Sequence, residues 1–171
     1  MNINIECENT YNEWEINISE ITKLTKNIFK YIIAQKEIFE NCFLKNYQYD
    51  EIFFDILFCD GVKTHQINKE YREKDYPADI ITFAVFADSQ EDERFILDGV
   101  LNLGEIIIAL DKIEESAKEK EISKETELAF FIAHGIMHLL GFDHQTEQEY
   151  NFVVECQKKA LESLNINYDK I

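Results

Sequence analysis

His134, His138 and His144 are three of the four histidines of the chain, and they fall in one run of eleven residues, HGIMHLLGFDH. His134 and His138 are four apart, so a helix places both imidazoles on one face, a turn from each other. Gly141 follows, a residue that ends helices and lets the chain turn back, and His144 comes three positions later. One short segment can therefore gather three imidazoles around one cation. Three protein ligands leave a tetrahedral ion one open position, where catalysis takes place.

The spacing, His at +4, Gly at +7 and His at +10, is that of the HExxHxxGxxH zinc motif. Zinc held by neutral imidazoles keeps its double charge and brings the pKa of a bound water to about 7. Another divalent transition metal fits the same donors. Two other readings stand beside this one. The histidines can be core residues bonded to backbone carbonyls, or the metal can be structural. A structural zinc site is normally closed by four protein ligands, often thiolates, whereas Cys156 is the cysteine nearest the motif, twelve residues beyond His144. The residue after the first histidine is Gly135, where zinc peptidases carry their glutamate base. The motif thus supports a metal-dependent hydrolase and weighs against the usual peptide chemistry.

The pattern of apolar residues says which elements position this run. Alternation over Ile3–Cys7 predicts a strand, and a helix follows from a Ser19 cap to about Glu40, with Ile21, Leu24, Ile28, Tyr31, Ile32 and Phe39 inward. Glu51–Cys59 is predicted as a strand, Val62–Glu73 as a short helix, Lys74–Asp79 as a connection and Ile80–Phe86 as a strand. Ala87–Gly99 is an acidic, exposed connection, and Leu101–Leu110 is a further strand. Asp111 is placed to cap a helix to Glu121. Ser123 caps the next, with Thr126 and Glu127 as capping partners. That helix runs to Leu140 and is apolar nearly all round, which makes it the buried central helix carrying the HxxxH pair. A last helix over Glu147–Leu164 turns Tyr150, Val153, Val154, Ala160, Leu161 and Leu164 inward. The order points to an α+β fold, with residues 1–171 forming a single domain.

A formal charge of −17 disfavours broad coating of nucleic acid or anionic membrane, so an anionic substrate needs a local basic patch or the metal. Four scattered cysteines without a CxxC pair suit a reducing, cytoplasmic setting. The N-terminal sequence has neither the basic start nor the apolar core of a signal peptide, and no apolar run is long enough to span a bilayer.

With these residues in view, the chain resembles the YbeY family of bacterial endoribonucleases. Its hallmark HGxxHLxGxDH is matched at every specified position from His134 to His144. Ile67–Asp75 is similar to the family's LNxxYRxKD segment, Ala78–Phe83 to TDVLSF, and Leu103–Ile106 to LGDI. Matching segments run from about Glu51 to Glu155. Ala78 stands in place of a threonine, Thr82 of a serine and Glu105 of an aspartate.

The resemblance implies a mixed β-sheet packed by helices in a zincin-like arrangement, with His134, His138 and His144 as ligands of one Zn2+ ion. It implies a catalytic group of His134 and Arg72, whose guanidinium can grip a phosphate and offset developing charge. It implies cleavage of single-stranded RNA in ribosomal RNA maturation, at the 3′ end of 16S rRNA, and in ribosome quality control. Ribosomes or ribosomal proteins are then partners, with neither DNA nor membrane expected. The alternatives are a metallopeptidase of the same fold and a non-enzymatic ribosome-associated factor stabilised by its metal. Asp143 is either an acceptor orienting an imidazole or a turn residue bonding its own backbone, and Glu105 either faces the site or is the polar phase of a strand. Lys69, Arg72 and Lys74 form the basic patch, His65 a surface histidine, and Trp14 part of the core.

Overall fold

The protein, described over residues 1–169 by a computed structural model, is built on one four-stranded mixed sheet. β1 (Asn2–Asn9), β2 (Glu51–Cys59) and β4 (Val100–Ala109) are mutually parallel, and β3 (Ile80–Phe83) pairs antiparallel with β4 at the edge, giving the order β1-β2-β4-β3. The helices are α1 (Ile18–Ala34), α2 (Lys36–Glu40), α3 (Gly61–Tyr71), α4 (Val85–Asp88), α5 (Leu110–Lys120), α6 (Lys124–Leu139) and α7 (Glu147–Glu162). The α+β expectation holds. Among the described residues no helix is long and apolar enough to cross a membrane.

Alternation along β2 turns Ile52, Phe54, Ile56 and Phe58 toward the main core, where Ile28, Phe29 and Ile32 of α1 and Ala129, Ile132, Ala133 and Ile136 of α6 meet them. The opposite face carries a smaller cluster of Cys59, Ile67, Ile81 and Ile107 under α3. In β4 the core residues change parity, from Leu101 and Leu103 to Ile106 and Ile108. A bulge at Asn102–Gly104 makes this possible, since a one-residue slip exchanges the faces of a strand. Asn102 Oδ1 accepts from the Gly104 N–H across it, 3.0 Å.

Several local expectations change. Asn17 rather than Ser19 caps α1, its side chain accepting from the Glu20 N–H at 3.1 Å. The helix breaks at the extended Gln35, which rotates the next turn so that Ile38 is buried and Phe39 exposed. Strand β3 ends at Phe83, where its pairing with β4 reaches Glu105 and the bulge begins. Gly104, at φ +127°, passes so close to the Phe83 carbonyl that any side chain there would overlap it. Val85 and Phe86 therefore enter α4 despite their strand propensity, tertiary context overriding it. Asp111 does not cap α5; its carboxylate accepts from the Gly61 N–H at 2.8 Å and ties α5 to α3. Tyr150 on α7 is exposed instead of inward. The α6 cap at Ser123 is as expected, accepting from the Thr126 N–H at 3.1 Å. Trp14 is buried in the core.

Candidate metal centre

Helix α6 crosses the sheet beside β3 and β4 and brings His134 and His138 to its C-terminal end. It stops there for a reason written in the sequence. Gly141 takes φ +90°, the Gly141 N–H donates to the His138 carbonyl (2.9 Å) and the Phe142 N–H to the Met137 carbonyl (3.0 Å). This paired closure with glycine in the left-handed position reverses the chain. The Asp143 carboxylate accepts from the His144 N–H at 2.7 Å, so Asp143 is the turn residue of its two readings. His144 is thereby folded back over the helix end.

The three rings converge. Their centroids lie 4.6 Å apart for His134 and His138, 5.2 Å for His134 and His144, and 4.8 Å for His138 and His144. One nitrogen from each lies within 4.8 Å of the others, a set that can hold a metal ion. His134 Nε2 and His138 Nε2 face each other at 3.1 Å. Two imidazole nitrogens on one tetrahedral zinc, each at 2.0–2.1 Å, stand about 3.3 Å apart. The donors thus fit a transition-metal ion.

Burial supports this use. It lowers the pKa of both helix histidines. That of His138 falls to about 4, chiefly through desolvation and then through the fields of His134, His144 and, more weakly, Arg72. Asp143 opposes that fall. Neutral imidazoles are the form that binds metals.

His134 has a partner that the sequence did not disclose. Gln157 of α7 is fully buried; its Oε1 lies 3.1 Å from His134 Nδ1, and its Nε2 donates to the Phe130 carbonyl at 3.1 Å. Gln157 stands twenty-three residues beyond His134, in what reads as an ordinary amphipathic helix. The only signal available was a polar residue on that helix's apolar side.

Arg72 follows the last turn of α3 and is exposed, its N–H donating to the Asn68 carbonyl at 2.9 Å. Its charge reaches His138, so sequence-distant residues share one electrostatic neighbourhood. Lys69 and His65 instead lie against Asp75, at 4.0 and 2.8 Å, which thins the basic patch. Glu105 does not face the histidines. It pairs in register with Asp55 of β2, which in turn pairs with Glu6 of β1, whereas its neighbour Ile106 is the residue packed under α6. Burial, and then the charge of Asp55, raise its carboxyl pKa.

Gly135 is fixed sterically. A Cβ at this position would come within 2.8 Å of the fully buried Ile106 side chain. The glutamate that a zinc peptidase carries here has no room while α6 rests on β4 at this distance.

The family described as Endoribonuclease YbeY matches residues 6–165. A protein of that name from Fusobacterium nucleatum is 34% identical over 82% of this chain and 91% of its own length. One from Malacoplasma penetrans is 36% identical over 81% of each. One from Bacillus licheniformis reaches 46% over 56% of this chain and 61% of its own. A Thermotoga maritima protein with a known solution structure shares the fold, with a TM-score of 0.53 and 21% identity over 95% of this chain and 91% of its own.

Proposed function

The chain belongs to the Endoribonuclease YbeY family, a family of RNA-cleaving hydrolases, and from that premise we propose that it cuts single-stranded RNA with one zinc ion held by His134, His138 and His144. The observation that carries the zinc assignment is the convergence of three imidazoles, two with their Nε2 atoms 3.1 Å apart. When bound, such an ion supplies Lewis acidity toward a phosphodiester and a nucleophile at neutral pH.

The chain's own residues supply the rest. Three neutral imidazoles add no charge of their own, so the centre keeps its full positive field for an anionic substrate. Arg72, exposed and electrostatically coupled to His138, is the residue to grip a phosphate oxygen and offset charge developing in the transition state. His134 belongs to the same catalytic group through its place on the ion. These local charges answer the net −17 of the chain, which otherwise repels RNA. A chelatable manganese, iron or nickel ion is compatible with the same donors.

The biological setting follows the family: maturation of ribosomal RNA, including the 3′ end of 16S rRNA, and ribosome quality control in the cytoplasm. The partners are ribosomes or ribosomal proteins, and neither DNA nor membrane is a substrate surface. Residues 1–171 act as one domain. The crowding at Gly135 counts against the peptidase alternative.

The test is cleavage of a labelled single-stranded RNA by purified protein, beside the same sequence as duplex and as DNA. His134→Ala and His138→Ala are expected to lower the rate by about 10³-fold and Arg72→Ala by about 10²-fold, the scale of losing one preorganised charge-stabilising group. Undiminished cleavage in all three variants would trace the activity to a contaminating nuclease and overturn the reading.

A further inference from the structure

We propose that Gln157 is the positioning residue of the metal centre: its side-chain amide selects the His134 tautomer that carries its proton on Nδ1, and does so without adding charge. The amide's orientation is fixed by its two neighbours. A backbone carbonyl can only accept, so the Gln157 group 3.1 Å from the Phe130 carbonyl oxygen must be the NH2. That leaves Oε1 as the group 3.1 Å from His134 Nδ1. An amide oxygen can only accept, so Nδ1 must carry the proton. The neutral ring then presents a bare lone pair at Nε2, the atom facing His138. Phe130 and His134 lie one turn apart on α6, so a single amide from α7 spans both and holds the ring plane. Gln157 is fully buried, which keeps water from competing for either bond.

The choice of glutamine over glutamate has two consequences. A carboxylate would accept from Nδ1–H, but its second oxygen would confront the Phe130 carbonyl, acceptor against acceptor. A carboxylate partner would also make the imidazole more basic and cancel part of the ion's charge. The amide keeps the centre fully dicationic, which suits an anionic phosphodiester; this part of the argument rests on the RNA reading, whereas the tautomer does not.

The experiment is long-range 15N NMR of the ring nitrogens in metal-free protein, with zinc affinity measured by competition against a chromophoric chelator. Wild type is expected to show His134 protonated on Nδ1. Gln157→Leu, of similar volume, is expected to move the proton wholly or partly to Nε2 and to weaken zinc binding 10- to 100-fold. Gln157→Glu should restore the Nδ1 proton and most of the affinity. A wild-type His134 protonated on Nε2 overturns the proposal without any variant. So does a Gln157→Leu protein that keeps both the tautomer and the zinc affinity. Correct tautomers in a protein that fails to cleave RNA would support the positioning role while removing the substrate reading.

Discussion

Helix α6 carries polar side chains at both ends, fully buried at one and half-buried at the other. Glu127, in its first turn, is fully buried, and every oxygen has a donor: Oε1 accepts from the Tyr168 hydroxyl (2.8 Å), and Oε2 from the Ser116 hydroxyl (2.7 Å) and Lys120 (2.9 Å). Lys120 also donates to the Tyr168 hydroxyl, 2.9 Å, and Tyr168 stacks on Phe130 at 3.8 Å. At the far end His134 has Gln157 on one nitrogen, and its other nitrogen meets His138 Nε2 across 3.1 Å. A buried charge with all its partners supplied by the chain holds the fold together. Converging imidazole nitrogens that one cation could share form a candidate binding site. The same helix therefore separates structural from functional polarity along its length.

The largest effect expected from this contrast is metal-dependent. Zinc at 1,000 times its dissociation constant should raise the stability of the protein by about 4 kcal/mol. His138→Ala should erase that increment while changing metal-free stability by only about 1 kcal/mol. Denaturant unfolding with excess zinc and with a chelator measures both. If metal-free His138→Ala unfolds far more readily than wild type, the C-terminal cluster is also structural and the contrast is broken.

The mirror experiment is Glu127→Ala. Removing the carboxylate leaves the Ser116 and Tyr168 hydroxyls without their acceptor, while Lys120, a third exposed, can turn to water; a cost of about 2 kcal/mol is expected, equal with and without zinc. Zinc affinity should stay at the wild-type value. A loss of affinity comparable to that of a ligand substitution would mean that the two ends of α6 act as one unit.

These two clusters also mark what could be read from the chain beforehand. The histidine triad was legible because its geometry is local: four residues set the helical face, and Gly141 sets the reversal. Glu127 looked like a capping partner of Ser123, since the residues that bury it come from Ser116, Lys120 and, forty-one positions away, Tyr168. Gln157 was hidden for the same reason. Strand Glu51–Cys59 was legible to the residue because alternation and the Asp60-Gly61 stop both act locally. The end of β3 was not, because it depends on a bulge in β4, a strand about twenty residues later. Arg72 became a candidate only through the family's motif; that its charge reaches His138 is a property of tertiary structure.

The smallest effect tests how completely the N-terminal cluster is satisfied. Tyr168→Phe keeps the ring that stacks on Phe130 and deletes one hydroxyl. Glu127 Oε1 then loses its donor, while Lys120 loses one of two acceptors. An unsatisfied buried acceptor costs about 1–3 kcal/mol, but Lys120 is a third exposed and can recover a water. The expected loss is therefore near the lower end, about 1 kcal/mol, measured by denaturant midpoint at constant m-value. Combined with Glu127→Ala it should add almost nothing, since the hydroxyl has no carboxylate left to serve. Full additivity of the two substitutions would show that the Tyr168 hydroxyl stabilises independently of Glu127, through Lys120, and that the carboxylate is held by Ser116 and Lys120.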